Sequence, residues 1–356
     1  MASSDRLRDY FATNYSRCSG SESFLSSWQT LALTSHSLSV FLLPFHALGA
    51  YCILFKTPVY MTFYRWPLFN LHFWSCFVDI LISALITPYF IFPAVAGFPV
   101  GVLRVFEVPV SVQIWLGIVS IFFMIMAMTI LFENRHNSIP SNRLRITRKA
   151  TKTVYYLLRI VALLVFSFAI FLFVPEDQEA ARLEILRSIP CPTREFFESP
   201  VFVLCIHEPY INFLAALTAL GVLAEMLQML FFIVCCLYYL FFSLNGFTSK
   251  KTRKLQIAYF GSILMQVSIP ILFLLPSFVF LVFSVVFKYY NQGLTNFSVL
   301  YASVHGFLST LVVLLIHKPY RSFIRTFFGK PSSAVGVQRK SGDTRRMSVF
   351  PTHVTS

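Results

Sequence analysis

The stretch VPVSVQIWLGIVSIFFMIMAMTILF, residues 108–132, decides the fold because it has no charged residue over a length that crosses a lipid bilayer. A helix rises 1.5 Å per residue, so about 20 apolar residues span the hydrocarbon core. Six further stretches reach or approach this length. Together they predict an all-α membrane protein, a seven-transmembrane helix bundle, with spans at about 38–56, 67–92, 108–132, 154–174, 212–242, 257–283 and 297–317.

Composition and charge fix the class and the orientation. Of 356 residues, 56% are hydrophobic and 12% are charged, whereas soluble domains average about 25% charged residues. The net charge is +14, with 20 Lys and Arg residues on one side of the predicted membrane and 8 on the other. This asymmetry places the N-terminus outside. It also argues against nucleic acid as a partner and directs the basic face toward anionic inner-leaflet lipid.

The chain divides into four parts. Residues 1–35 are predicted as an extracellular segment and 36–317 as the seven-helix domain. Pro319 and Gly329 bound a predicted amphipathic helix, 318–329, on the inner leaflet. Residues 330–356 are predicted as a disordered cytoplasmic tail. In the second outer loop, acids after Pro175 and leucines at helical spacing predict a short surface helix that ends at Pro190.

The outer segments contain three cysteines, Cys18, Cys191 and Cys205, which allow one disulfide among three pairings. The Cys18–Cys191 pairing is favoured because Cys205 follows an apolar run and is expected to pack. Asn14 begins the glycosylation sequon Asn-Tyr-Ser on the predicted outer side. Ser348 follows a basic pair in the tail and is a candidate for phosphorylation.

Five strings occur in order on the predicted spans and loops: YCILFKTP at 51–58, NLHFWS at 70–75, LFENR at 131–135, PCPT at 190–193 and HKPYR at 317–321. Together they resemble the nematode serpentine receptor class H chemoreceptors, a branch of the Str-like seven-helix receptors, over about residues 15–328. The resemblance implies a G-protein-coupled chemosensory receptor in the plasma membrane of a sensory neuron, with the cilium of that neuron as the expected location. The implied partners are a small-molecule ligand, a heterotrimeric G protein and the lipid bilayer; no cofactor is implied.

Four residues are candidates for the conformational switch. Burying the Asp79 carboxylate near mid-membrane costs about 2.5–3.5 kcal/mol, so it needs a partner; Ser303, His305 and Ser309 are candidates. Glu133 and Arg135 end span 3, where rhodopsin-like receptors carry an acid–Arg pair that locks the resting state. In this chain the spacing between the acid and the arginine differs from that pattern. Glu133 and Arg135 are equally compatible with ordinary charges at the membrane interface. Pro270, with Pro276, offers a hinge or a static kink in span 6.

Polar or aromatic side chains that lie at depths suited to an outward cavity are Gln113, Trp115, Glu225, Gln266, Tyr301 and His305. Each alone is also compatible with simple packing, and Glu225 with pairing to a neighbouring helix. Two sets of inner-loop cations are candidates for contact with a G protein: Arg143, Arg145, Arg148 and Lys149, and Lys250, Lys251, Arg253 and Lys254.

Two other classes are compatible with seven spans. An intramembrane metal hydrolase would need inward ligands such as His72, Asp79 and His305, but no His-x-x-x-His pair occurs, so no metal site is predicted. A ligand-gated channel or carrier is disfavoured because no inverted repeat is visible. The sequence therefore favours a receptor and not an enzyme.

Overall fold

The computed structural model describes residues 2–15, 18, 23–139, 142–146, 148–242 and 250–328. Within these residues, seven helices are long and apolar enough to cross a membrane, which confirms the predicted bundle. They are spans 1 to 7: Trp28–Phe55, Tyr64–Leu85, Val110–Asn137, Lys149–Phe173, Glu208–Phe242, Gln256–Val286 and Gln292–Ile316. "Outer" and "inner" below follow the orientation that the loop charges predict.

Span 1 begins at residue 28, whereas hydropathy predicts residue 38. Ser27 caps the helix, since its hydroxyl accepts a hydrogen bond from the backbone amide of Gln29 at 3.2 Å. The first turns bury polar Ser35 inside the protein. Capping and protein-facing polar side chains extend a helix beyond its apolar run, and a hydropathy average registers neither.

Span 2 ends at Leu85, and the prediction that it continues to residue 92 is wrong. Its last turn, Leu81–Leu85, is π-helical, and Thr87 then has a φ of 43°. Pro88 follows, and proline cannot donate the amide hydrogen bond that would extend a helix. The apolar residues after it form a strand instead, so hydropathy alone could not separate the two structures.

An outer cap closes the outer end of the bundle. It contains an N-terminal helix, Ala2–Thr13, an outer-loop helix, Gln178–Ser188, and a three-stranded antiparallel sheet. The strands are β1 (Pro88–Ile91), β2 (Ala96–Pro99) and β3 (Phe202–Val203), in the order β1-β2-β3. A core of buried apolar side chains joins these segments to the start of span 1.

The outer-loop helix lies within the predicted range. Asp177 caps it by accepting hydrogen bonds from the amides of Glu179 and Ala180 at 3.0 and 2.9 Å. The carboxamide of Gln178 then bonds both backbone groups of Val203, at 2.7 and 3.2 Å. Gln178 therefore ties the helix to the edge of the sheet.

Cys18 and Cys191 form a disulfide, the pairing that the sequence favours, and Cys205 is a buried free thiol. Beside the bridge, the Tyr10 hydroxyl donates to the carbonyl of Pro190 at 3.1 Å. The N-terminal helix is thus fixed to the outer loop. Asn14 is exposed just after this helix, and its glycosylation stays a prediction.

Spans 6 and 7 differ in continuity. The span 6 helix, Lys250–Val286, continues through Pro270 and Pro276. Span 7 consists of two helices, Gln292–Ala302 and His305–Ile316, with a break at Ser303 and Val304. This break lies beside the mid-membrane polar cluster described below.

A C-terminal helix, Lys318–Phe328, follows span 7. Tyr320 is buried, and its hydroxyl lies 2.6 Å from that of Thr57, which itself donates to a span 1 carbonyl. Burial raises the pKa of Tyr320, so its hydroxyl stays a neutral donor. The ammonium of Lys56 lies 4.5 Å from the ring centre of Phe323. The tail 330–356, with Ser348, lies outside the described residues.

Candidate functional site

A cavity of about 460 Å³ lies beneath the outer cap, between spans 2, 3, 5, 6 and 7. Its lining along span 3 includes, at near-helical spacing, Gln113, Gly117, Ile121, Ile125 and Met128. Fifteen residues of helix cover about 22 Å. The cavity is therefore elongated along span 3, and it extends from the β1–β2 hairpin to the middle of the bundle.

The wall of this cavity is almost wholly aliphatic and aromatic. Among the lining residues in the described part of the chain, Glu225 is the only charged one. The lining serines Ser277 and Ser298 donate their hydroxyls to backbone carbonyls at 2.8–3.1 Å. Such a wall favours an apolar ligand, and the volume lies within the usual range for small-molecule sites.

Three of the predicted residues line the cavity: Gln113 at its outer part, Glu225 near mid-membrane, and Pro270 on span 6. Glu225 also forms an ion pair with Arg159 of span 4. Both side chains are at least four-fifths buried, and the Thr129 hydroxyl donates to the same carboxylate at 3.4 Å. Glu225 thus satisfies a neighbouring helix and borders the cavity at once.

The amino-acid sequence alone does not reveal the Arg159–Glu225 pair. The available signal was a lone cation in span 4 and a lone acid in span 5, both deep in apolar runs, where an ionisable group needs a partner. Sequence distance does not show which spans are adjacent, so the match required the packed bundle.

Three other predicted ligand contacts lie outside the cavity lining. Trp115 packs on Phe168 of span 4, with ring centres 5.7 Å apart. Tyr301 stacks on Phe273 at 4.5 Å. Gln266 is buried in span 6 but does not border the cavity. Depth along a helix was predictable, but the face each side chain occupies depends on the rotation of that helix.

The remaining candidate, His305, joins Asp79 in a buried polar cluster. The Nδ1 atom of His305 lies 2.7 Å from Oδ1 of Asp79, and Nε2 of His46 lies 3.5 Å from Oδ2. The backbone amide of Phe307 donates to Oδ2 at 2.8 Å. Of the other predicted partners, Ser303 donates its hydroxyl to a backbone carbonyl instead.

The break in span 7 explains why an acid is stable at this depth. The second helix of span 7 starts at His305, and the first amides of a helix lack carbonyl partners from a preceding turn. The Asp79 carboxylate accepts from one of them and lies at the positive end of the helix dipole. It therefore caps a helix inside the membrane, which offsets its desolvation.

Gly306 permits this approach. A Cβ atom at position 306 would lie 2.5 Å from Oδ2 of Asp79 and 2.7 Å from the carbonyl oxygen of Ser75. Real Cβ contacts essentially never come so close. The cap on span 7 therefore depends on a glycine at this position.

At the inner end, Glu133 and Arg135 do not pair with each other, and the expected switchable ion pair is absent between these two described residues. Positions i and i+2 of a helix point to different faces. Glu133 bonds Lys152 of span 4 at 3.0 Å and Asn137 at 3.0 Å. The two charges therefore link span 3 to different neighbours.

Arg135 is 2% exposed and connects three spans. Its guanidinium donates to the hydroxyl of Tyr64 in span 2 at 3.0 Å and to the carbonyl of Gln256 in span 6 at 2.8 Å. Hydrogen bonds from a charged donor are stronger than neutral ones. Arg135 therefore holds the inner end of span 6 against span 3.

Metal chemistry finds no support in the geometry. Across the ranges that the structure describes, no group of three or more His, Cys, Asp or Glu residues is arranged to hold a metal ion. Asp79 and His305 instead contact each other, while Asp79 accepts from the Phe307 amide and His305 bonds the Ala302 carbonyl.

The fold of the described residues is a seven-transmembrane helix bundle. It resembles the crystal structure of squid rhodopsin with a TM-score of 0.53 and 12% sequence identity, over 89% of this chain and 89% of that chain. At this identity the likeness establishes the fold alone.

The chain belongs to the family of serpentine type 7TM GPCR chemoreceptors called Srh, whose sequence model matches residues 26–330. It is 33% identical over 331 residues to serpentine receptor class H-72 of Caenorhabditis elegans, covering 92% of this chain and 94% of that protein. The predicted family is confirmed. The chain is therefore a multi-pass membrane protein with a receptor role and not an enzyme, and ligands and G proteins are the general partners of its class.

Proposed function

We propose that this chain is a chemosensory receptor that binds a small, largely apolar environmental ligand in the cavity beneath the outer cap and activates a heterotrimeric G protein. The observation that supports the proposal is the apolar cavity between five spans of a chain that belongs to a chemoreceptor family. The proposed location is the plasma membrane of a sensory neuron, at its cilium.

The contacts on spans 5 and 6 support a route from the cavity to the inner face. Glu225 and Pro270 border the cavity on these two spans. Arg135 bonds the inner end of span 6 through the Gln256 carbonyl. A ligand that binds more tightly to a state in which this hydrogen bond is broken shifts the receptor toward that state. The size of the shift is set by the difference between the ligand's affinities for the two states. The exposed cations Arg143 and Arg148 lie on the same inner side and can contact an acidic partner surface.

We expect Gly117→Phe to reduce ligand potency by at least tenfold without loss of surface expression. Gly117 lines the cavity, and a Cβ there would meet only Ile86 Cδ1, at 3.9 Å. A phenyl ring would therefore fill ligand space. The measurement is a dose–response curve for second-messenger release in cells that express the full chain, for any compound active in a chemical screen.

Gly221→Phe is the matched control, because Gly221 is exposed on span 5 and a Cβ at that position would meet no atom within 4 Å. Gly221→Phe changes helix propensity and side-chain size by the same amount as Gly117→Phe. Equal potency of the two variants at equal surface expression would place the ligand elsewhere.

We expect Arg135→Met to raise ligand-independent signalling severalfold. The variant loses the charged hydrogen bonds to Tyr64 and Gln256, each worth about 1.5–3 kcal/mol in comparable settings. Span 6 is then less restrained. Basal second-messenger level per surface receptor is the readout, with the exposed Arg325→Met as a control for lost charge. Unchanged basal signalling in Arg135→Met would remove Arg135 from the proposed switch.

A further inference from the structure

Gln113, which borders the outer part of the cavity, has a hydrogen-bond acceptor without a partner among the described residues. Gln113 is 1% exposed and borders the cavity. Its Nε2 group donates to the carbonyl of Val108 at 2.8 Å. Only the amino group can donate to a carbonyl, so this bond fixes the orientation of the carboxamide. Its Oε1 atom has no hydrogen-bond partner among the residues that the structure describes.

An unpaired acceptor beside a cavity is a candidate recognition feature. Buried polar atoms are nearly always paired, because an unpaired one has lost its bonds to water without replacement. The serines of the wall, Ser277 and Ser298, do not supply a donor, since their hydroxyls bond backbone carbonyls. A ligand that carries a donor would complete the site.

The shape of the cavity restricts the rest of the ligand. The cavity has a volume of about 460 Å³, and its lining on span 3 covers about 22 Å, which suits an elongated ligand. Below Gln113 the lining on span 3 is apolar, and the Glu225 carboxylate already bonds Arg159 and Thr129. The polar end of a ligand therefore belongs at Gln113 and its apolar body along span 3.

We propose that the cavity takes a linear, single-chain amphiphile whose head group donates a hydrogen bond to Oε1 of Gln113. The inference rests on the proposed function, because it names the ligand class of the same cavity. A hydroxyl on an unbranched hydrocarbon chain is the simplest molecule of this class.

The test compares 1-decanol, decyl methyl ether and cyclodecanol on the purified full chain in lipid nanodiscs. The ether keeps the chain and loses the donor, whereas the ring keeps the donor and loses the linear shape. Binding is measured from the ligand-dependent shift of the thermal unfolding midpoint, followed by tryptophan fluorescence. We expect 1-decanol to bind about tenfold more tightly than either analogue, the ratio typical of one good hydrogen bond.

Two isosteric variants form the matched pair. Gln113→Met removes the acceptor, whereas Gln266→Met alters a glutamine that is equally buried but outside the cavity. The alcohol-to-ether ratio should fall to near one in Gln113→Met and persist in Gln266→Met. The effects of the two compounds on the bilayer are the same for both variants, so they cancel when this ratio is compared between Gln113→Met and Gln266→Met.

Two results overturn the inference: equal binding of alcohol and ether to the unmodified chain, or an alcohol preference that survives in Gln113→Met. The first needs no variant to fold. The inference and the receptor function fail separately. If the alcohol preference depends on Gln113 but no second messenger is released in cells, the ligand site stands and the signalling role is wrong. If other compounds cause signalling but the alcohol preference is absent, the signalling role stands and the ligand site is wrong.

Discussion

Replacing Arg159 by methionine should lower the free energy of unfolding by about 3 kcal/mol, because Glu225 is left as an unpaired carboxylate inside the bundle. Removing one partner of a buried ion pair costs about 3–5 kcal/mol, far more than the pair itself contributes. The Arg159 and Glu225 side chains are 10% and 16% exposed. The measurement is denaturation of the purified protein by increasing SDS fraction in mixed micelles.

The double variant Arg159→Met/Glu225→Gln supplies the rescue, because no charge is then left unpaired. It should recover most of the lost stability. Arg187→Met is the control for an exposed pair, since Arg187 and Glu184 are 78% and 47% exposed and such pairs contribute about 0–1 kcal/mol. If Arg159→Met and Arg187→Met had equal effects, the mid-membrane ion pair would not exist in the native protein.

Gly306→Ala should destabilise the protein by about 3 kcal/mol, although alanine favours a helix over glycine by about 0.5–1 kcal/mol. The new methyl group would lie 2.5 Å from Oδ2 of Asp79 and 2.7 Å from the Ser75 carbonyl oxygen. Relief of that contact requires span 7 to move from span 2, which costs about 1–3 kcal/mol as overpacking. It also separates Asp79 from the Phe307 amide and leaves a buried charge without its donor.

Gly261→Ala is the control, because a Cβ at position 261 meets no atom within 4 Å. Here helix propensity acts alone, so stability should stay equal or rise. The same SDS titration measures both variants, and surface expression in cells gives a second readout. A Gly306→Ala protein as stable as the Gly261→Ala protein would show that Asp79 does not cap span 7.

The cavity illustrates how far residue type predicts a site. Depth along the spans predicts Gln113 and Glu225 as ligand-lining residues, and both line the cavity. Trp115 and Tyr301 have suitable depth too, but each stacks on an aromatic ring of a neighbouring span. A sequence gives the position of a side chain along the membrane normal, whereas the face it occupies depends on which helices are adjacent.

The inner-face charges lead to the same conclusion. The sequence located Glu133 and Arg135 at the end of span 3, and helical geometry alone separates their faces. Their true partners, Lys152 and the carbonyl of Gln256, come from spans 4 and 6. Contacts of this kind join residues far apart in the chain, so no local pattern contains them.

The sequence by itself determined the seven spans, the orientation preference and the family. These follow from local quantities: the apolar length that a bilayer requires, the sign of loop charges and short ordered strings. The helix capped by Asp177 belongs to the same group, because capping involves neighbouring residues.

Only the tertiary structure decided the outer cap, the cavity, the Arg159–Glu225 pair and the break in span 7. Each depends on the rotation and approach of helices that are distant in sequence. The Asp79 cap is the clearest case, since it requires a glycine, a free amide and a carboxylate from two spans to meet. The apolar character of residues 108–132 places span 3 in the bilayer, but the neighbours packed around it turn one of its faces into the wall of a cavity.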